Sequence, residues 1–288
     1  MRPEVRHVTC IFITIATILW FGKPFIDILD LSLNNENAQH YSHILLIPLL
    51  SLYLLYLKRN LIISNAQWSP WSGVVVMIIA GVISGLVALP TADQLDSLTP
   101  HIFAMVVMVW GGFLFCYGIQ SIRAASFGLG FLLLMIPIPS YLIGVIIGFL
   151  QRASAEVSAI LFALLGVPVF RQEFTFSLSN FTIEVAEECS GIRSALALFI
   201  TSLVAGHLFL RSLWGKIILV LIVVPLAIIK NAFRIVGLAL LANYVDPRYI
   251  TDGTLHRSGG IPLFLVSLGI LFSIVWFSRK FESRIRPV

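Results

Sequence analysis

The sequence predicts an all-α integral membrane protein, a bundle of about eight transmembrane helices. Of its 288 residues, 58% are hydrophobic and only 11% are charged, and the mean hydropathy is +0.97. A soluble chain of this length could not bury so much apolar surface. The apolar residues are also gathered into long runs, as a bilayer span of roughly 20 residues requires.

Eight apolar runs are candidate spans, and we expect them to form a single polytopic domain that covers residues 1–288. The first run is followed by bulky and charged residues rather than by a small-residue cleavage site, so we expect it to be retained. The eight runs are Val8 to Phe21, Ser42 to Leu57, Gly73 to Leu89, Ile102 to Ile119, Ala124 to Ile138, Gly191 to Leu210, Ile217 to Ile229 continuing toward Val245, and Ile261 to Phe277.

The charges that flank these runs predict the orientation, because Lys and Arg are enriched on the cytoplasmic side of membrane proteins. With the N-terminus inside, the basic flanking residues fall in the cytoplasm, and all acidic residues except Glu4 and Glu282 fall outside. We therefore expect both termini in the cytoplasm of a bacterial inner membrane protein. The net charge of +5 then indicates membrane topology rather than a nucleic-acid-binding surface.

One further apolar segment, Tyr141 to Phe170, does not fit this scheme. It carries Gln151, Arg152 and Glu156 near its centre, and a full crossing would move the basic C-terminal tail to the outside. We therefore expect an interfacial or re-entrant segment on the outer face, bounded by prolines at its ends.

The stretch from Phe174 to Val185 alternates apolar and polar residues on both sides of Ser179-Asn180. This pattern predicts a short β-hairpin on the outer face with a two-residue turn. In that register all six apolar side chains share one face, and the hairpin leads directly to Cys189. The predicted pairs are Leu178 with Phe181, Phe176 with Ile183, and Phe174 with Val185.

The three cysteines have different surroundings. Cys10 and Cys116 lie inside apolar runs and are expected to be inert packing residues. Cys189 precedes a predicted helix, where the helix dipole favours a thiolate, and Arg193 follows one turn later on the same face. Acidic neighbours oppose that effect. These residues alone therefore leave both a catalytic and a structural role possible for Cys189. No C-x-x-C spacing occurs, and we expect no metal site and no cofactor.

Two more polar groups lie at predicted outer helix ends. In Lys230-Asn-Ala-Phe-Arg234, Asn231 and Arg234 share a helix face, and charges at membrane depth usually face a bundle interior or a cavity. The alternative is that both cations snorkel to lipid headgroups. In the stretch from Asp252 to Gly260, His256 has the chemistry of a general base and Asp252 could orient it, although a loop histidine is more often simply solvated.

These residues resemble the exosortase and archaeosortase family of membrane cysteine transpeptidases. The match rests on Ala186-Glu-Glu-Cys-Ser-Gly-Ile-Arg-Ser194, on Asn231-Ala-Phe-Arg-Ile235, and on His256 with Gly260 four residues later. Tyr41-Ser-His43 is similar to an N-terminal motif of the family, except that Ile44 stands where glycine is common.

The resemblance implies that Cys189, Arg234 and His256 are the catalytic residues, and the His indicates the bacterial exosortase branch. We expect supporting roles for Arg193, Asn231, Asp252 and Ser190. The implied substrates are membrane-anchored secreted proteins with a C-terminal sorting signal, made of a Pro-Glu-Pro-type motif, an apolar helix and a basic tail. The implied reaction is cleavage near that motif through a Cys thioester, with transfer of the new C-terminus to an acceptor nucleophile.

Two other classes remain open from the sequence, a transporter and a non-enzymatic membrane component of exopolysaccharide export. A transporter would usually show a repeated topology and polar residues near the bilayer midplane, and neither is evident in the sequence. The expected partners are thus sorting-signal proteins and the lipid bilayer, and no nucleic acid.

Overall fold

The computed structural model describes residues 3–33, 41–86, 94–179, 182–245 and 260–285, which are mostly helical. These residues fall into two compact units, Met1–Ile143 and Gly144–Val288, and each is described by itself. The first unit contains α1 (Pro3–Trp20), α2 (Gly22–Leu33), α3 (Leu46–Leu57), α4 (Arg59–Ser64), α5 (Pro70–Leu86), α6 (Gln94–Tyr117) and α7 (Ile119–Phe131), which ends in a 3-10 turn, Leu132–Met135. The helix α8 (Ser140–Leu164) begins in the first unit and continues into the second.

The second unit continues with a small sheet and three helices. The elements are β1 (Phe170–Gln172), β2 (Thr175–Ser177), β3 (Thr182–Glu184), a 3-10 turn (Glu187–Cys189), α9 (Ile192–Phe209), α10 (Leu213–Tyr244) and α11 (Gly260–Ile285).

Five helices in the described part of the chain are long and apolar enough to cross a bilayer, so this is a multi-pass membrane protein. A bent pair, Glu4–Trp20 with Gly22–Leu33 at 77°, makes six if it counts as one span. The expected count of eight is not confirmed, because α3, α5 and the helix Ile119–Met135 are shorter. The 12 residues of α3 extend about 18 Å, well below the roughly 30 Å hydrocarbon thickness. The five long helices are Asp96–Tyr117, Ser140–Leu164, Ile192–Phe209, Leu213–Tyr244 and Gly260–Arg284.

The segment that we expected to be interfacial or re-entrant is the unbroken helix α8, so the re-entrant alternative is wrong. By length and composition α8 is also one of the five candidate spans. The expectation rested on its polar residues, and the structure shows why they do not break the helix. Gln151 is buried and donates a hydrogen bond to the Val185 carbonyl, so its amide is satisfied inside the protein. Glu156 lies at an exposed position and forms an ion pair with Arg171, 2.7 Å away.

The predicted hairpin is present as β2 and β3, which pair in antiparallel fashion with Phe176 opposite Ile183, as expected. The Val185 N–H donates to the Phe174 carbonyl at 2.9 Å, which extends the predicted register by one pair. The third predicted pair involves Phe181, which lies outside the described residues. A third strand, β1, was not predicted and pairs with the other edge of β2.

The apolar face of this sheet packs against two helices of the second unit. Phe176, Leu178 and Val185 are buried in one hydrophobic cluster with residues of α8 and α10. In this cluster the ring centroids of Phe162 and Phe176 lie 5.5 Å apart. The sheet therefore holds the chain that follows β3 against α8 and α10.

In the first unit, two glycines allow α5 and α6 to approach closely. A Cβ added at Gly73 would lie 2.5 Å from the backbone of Phe115, and one at Gly111 would lie 2.6 Å from the side chain of Met77. Small residues at such contacts are the usual means of close helix packing in membranes.

Glu282, on the last turns of α11, binds the connection between α9 and α10. Its two carboxylate oxygens accept hydrogen bonds from the backbone N–H groups of Arg211 and Ser212, at 2.8 and 3.0 Å. A carboxylate at the start of a helix is stabilised by the helix dipole and by these orphan donors.

We expect Glu282→Gln to lower the free energy of unfolding by about 1 kcal/mol, because the charge-assisted bonds are lost. Thermal unfolding of the purified protein would measure this loss, with the exposed Glu173→Gln as the control. An equal effect of the two variants would show that the carboxylate of Glu282 does not stabilise this connection.

Candidate functional site

Cys189 lies in a turn just before α9, as the sequence predicted. It ends the 3-10 turn Glu187–Cys189, and Ser190 and Gly191 connect it to the first residue of α9. Gly191 has φ = +79°, in the left-handed region that favours glycine. The Cys189 side chain is half-buried, whereas Ser190 is 2% exposed. This turn brings the thiol close to the N-terminus of a helix, which favours a thiolate.

Asn231 fixes the turn from α10. Its side chain is fully buried, and its Nδ2 donates hydrogen bonds to the Cys189 carbonyl at 2.7 Å and to Ser154 Oγ at 3.1 Å. A Cβ at Gly191 would lie only 2.9 Å from Asn231 Cγ, so the backbone of the turn lies directly against this amide. One buried side chain thus joins α8, α10 and the turn that carries Cys189.

Lys230 is also directed into the protein. It is 5% exposed, and its ammonium donates a hydrogen bond to Ser194 Oγ, on the first turn of α9. Ser194 Oγ is itself 2.8 Å from the Gly191 carbonyl. The alternative in which Lys230 snorkels to lipid headgroups is therefore wrong.

Cys189 and Arg234 line the same small crevice, together with residues of β3 and of α10. Its volume of about 10 Å³ is close to the room that one water needs. Arg234 is half-buried and lies one turn after Lys230 on α10. The structure thus brings together two of the three predicted catalytic residues, which are 45 positions apart in the sequence.

Gly260, the first residue of α11, lies beside Arg234. A Cβ at this glycine would be 3.8 Å from Arg234 Nε. The predicted residues Asp252 and His256 precede Gly260 in the chain and lie outside the described residues.

A family model for transmembrane exosortases matches residues 35–273 of the chain. The chain belongs to the transmembrane exosortase family. The match covers all of the motif residues from Cys189 to His256. Neither a curated protein nor a solved structure matches the chain.

The remaining predicted residues occupy different positions in this exosortase. Arg193 is exposed on the first turn of α9, one turn after Cys189. Ser190 is buried, and its Oγ has no hydrogen-bond partner among the residues that the structure describes. Within the same described ranges, no three His, Cys, Asp or Glu side chains are grouped closely enough to hold a metal ion.

Two serines that contact the residues around Cys189, Ser154 and Ser194, were not predicted from the sequence. For Ser154 a signal was available. Gln151, Ser154 and Ser158 recur at helical spacing and are all buried on α8, whereas the charged Arg152 and Glu156 between them are exposed. Polar residues on one face of an apolar helix usually face the bundle interior, so this spacing indicates an inward polar face. Ser194 follows Cys189 by only five positions, and nothing in the local pattern distinguishes it.

Proposed function

We propose that this chain is a membrane cysteine peptidase or transpeptidase that cleaves C-terminal PEP-CTERM-type sorting signals of secreted proteins. The observation that carries the proposal is that Cys189, in the turn before α9, and Arg234 line one crevice. Membership of the exosortase family supports the same reading. The substrates are membrane-anchored proteins, and the likeness of the motifs to the bacterial branch supports an inner-membrane location.

The proposed chemistry starts with the Cys189 thiolate attacking the carbonyl carbon of the scissile peptide bond. The new S–C bond gives a tetrahedral oxyanion, and collapse of this intermediate breaks the C–N bond and leaves a thioester. The amine leaves with a proton supplied by His256, which first served as general base. An acceptor nucleophile or water then attacks the thioester and returns the thiolate.

Arg234 is proposed to stabilise the thiolate or the oxyanion, because it is always cationic and can donate two parallel hydrogen bonds. Its place in the crevice beside Cys189 supports this role. For His256 the support is the position of Gly260, which lies beside Arg234 and follows His256 by four residues. Asn231 is proposed to support the site by holding the Cys189 carbonyl.

The proposal places the active site on the periplasmic face and the C-terminus in the cytoplasm. In the part of the chain that the structure describes, three helices long enough to cross a bilayer follow Cys189, and three crossings would separate the thiol from the C-terminal tail. The basic residues of the second unit support this orientation. Arg211 and Lys216 lie at one end of α10, and Arg279, Lys280 and Arg284 lie at the matching end of α11.

We expect a phosphatase fusion at the C-terminus to be inactive and a fusion after Val245 to be active, because only periplasmic phosphatase folds. The N-terminus is expected to be cytoplasmic as well, which requires an even number of crossings along the chain. A membrane-impermeant thiol reagent added to spheroplasts should label Cys189. An active C-terminal fusion would reverse the orientation of the site.

The sheet is proposed to help bind the substrate as an extended strand. In the described part of the chain β3 pairs only with β2, so its other edge is available for pairing with a peptide. A photo-crosslinking residue at the exposed Thr182 should capture the sorting-signal peptide, whereas one at the exposed Leu164 on α8 should not. Equal capture at both positions would remove the proposed role of β3.

The most direct test of the function is co-expression with a candidate sorting-signal protein, followed by mass measurement of its C-terminus. We expect the substrate to lose its apolar helix and basic tail, with a new C-terminus near the Pro-Glu-Pro motif. An intact substrate tail in the presence of a well-expressed wild-type chain, across several candidate signals, would favour a transport or scaffold role in exopolysaccharide export instead.

A further inference from the structure

Lys230 is a buried cation that the proposed reaction does not use. It is 5% exposed within a 32-residue apolar helix, and no Asp or Glu of the described ranges forms an ion pair with it. An ammonium removed from water costs several kcal/mol unless it is well bonded, and such residues inside membrane helices generally serve a function. The surroundings of Lys230 indicate which function this is.

The hydrogen bonds of Lys230 have a fixed direction. An ammonium can only donate, so Ser194 Oγ must accept from Lys230, and its single proton is then directed to the Gly191 carbonyl, 2.8 Å away. The neighbouring residue Asn231 donates to the Cys189 carbonyl. Asn231 therefore holds the Cys189 carbonyl directly, whereas Lys230 acts on the Gly191 carbonyl only through Ser194. These two carbonyls belong to the residues on either side of Ser190.

The position of this charge also affects the thiol electrostatically. Gly191 is the residue before α9, whose N-terminus already carries a partial positive charge. An ammonium bonded to the first turn adds positive charge at the same place, and a positive potential stabilises a thiolate relative to a thiol. Arg234, which lines the crevice with Cys189, acts in the same direction, and Glu184 in that crevice acts in the opposite direction.

We propose that Lys230 is a positioning residue for the nucleophile, which through Ser194 fixes the turn bearing Cys189 and supplies positive potential to its thiolate. This inference depends on the proposed function only in taking Cys189 as the nucleophile. Lys230 itself touches neither the thiol nor the substrate in this role.

The test measures the pH dependence of Cys189 alkylation by iodoacetamide in the full-length protein in lipid nanodiscs. Mass spectrometry of the labelled peptide separates Cys189 from Cys10 and Cys116. Lys230→Met removes the charge at similar volume, and we expect the midpoint of the alkylation profile to rise by about one pH unit. Ser194→Ala should shift the midpoint in the same direction but less, and Lys230→Arg should keep it near that of the wild type.

The matched control is Lys216→Met, which removes the same charge from the same helix 14 residues away, about 21 Å along its axis. Its midpoint should equal that of the wild type. With substrate present, Lys230→Met should lower kcat and leave KM nearly unchanged, because the substrate contacts remain. The melting temperature should not fall, because removing a buried charge is not destabilising when the replacement packs as well.

Three results would overturn the inference. One is an unchanged alkylation midpoint for a folded Lys230→Met, and another is an equal shift for Lys216→Met. If Lys230→Met does not fold, an unchanged midpoint for Ser194→Ala overturns the inference instead. Alkylation needs no peptide substrate, so a shifted midpoint together with no peptide cleavage by the wild type would support the role of Lys230 while rejecting the proposed function.

Discussion

Replacing Cys189 with alanine is expected to abolish processing of a sorting-signal protein, with a fall of at least about a thousandfold. No other thiol of the second unit could form the thioester, since Cys10 and Cys116 both belong to the first unit. Expression and membrane insertion should be intact, because a small residue in a half-buried turn costs little stability. The measurement is the mass of the substrate C-terminus after co-expression.

Cys10→Ala is the matched control, since it removes a half-buried thiol from an apolar helix and should leave processing unchanged.

Arg234→Ala and His256→Ala should each be severely defective, and adding either to Cys189→Ala should change almost nothing, because parts of one catalytic unit are not additive. Arg234→Lys should not restore full activity, because an ammonium lacks the planar fork of a guanidinium. Normal trimming of the signal by Cys189→Ala would reject the transpeptidase reading.

The second large effect is expected for Gly191→Ala. A Cβ at this position would lie 2.9 Å from Asn231 Cγ, and the backbone has φ = +79°, where a side chain costs roughly 1–2 kcal/mol. Asn231 cannot move away cheaply, because it is fully buried and bonded to both Cys189 and Ser154. We expect a loss of about 2 kcal/mol in the free energy of unfolding and a fall in processing of about a hundredfold.

Gly269→Ala is the control for this variant, since a Cβ at Gly269 meets nothing within 4 Å and the residue lies inside a helix. It should be neutral or slightly stabilising, because alanine is the better helix former. Thermal unfolding and Cys189 alkylation would be measured on both variants. A Gly191→Ala protein with wild-type processing would show that the turn does not need its left-handed conformation.

The sequence allowed the hairpin and the thiol position to be predicted because both depend on local patterns. Alternation around Ser179-Asn180 determines which side chains share a face, and the pairing of Phe176 with Ile183 followed from it. Cys189 precedes a long apolar run, which placed it before a helix. Motif spacing then associated Cys189 with Arg234, and the structure places both residues in one crevice.

Features that depend on tertiary contacts were harder to predict from local patterns. Polar residues in α8 suggested an interrupted span, but the Gln151 amide is bonded to Val185 on the sheet, which the local pattern does not reveal. Hydropathy alone also does not separate the 12-residue helix α3 from the end of a longer span. The buried position of Lys230 depends on its hydrogen bond to Ser194, which lies on a different helix.

The length of α10 has a consequence for the position of the Arg234 side chain relative to the membrane centre. Its 32 residues extend about 48 Å, which exceeds the roughly 30 Å of hydrocarbon even with an ordinary tilt. Measured from Leu213, Arg234 lies about 32 Å along the axis, at the outer boundary of the hydrocarbon if the helix begins at the inner one. The turns beyond it, which include the buried residues Ile235, Val236 and Ala239, pack in one cluster with the sheet. A peptide bond held beside Arg234 would therefore sit just outside the lipid tails, within reach of a substrate whose own helix remains in the bilayer.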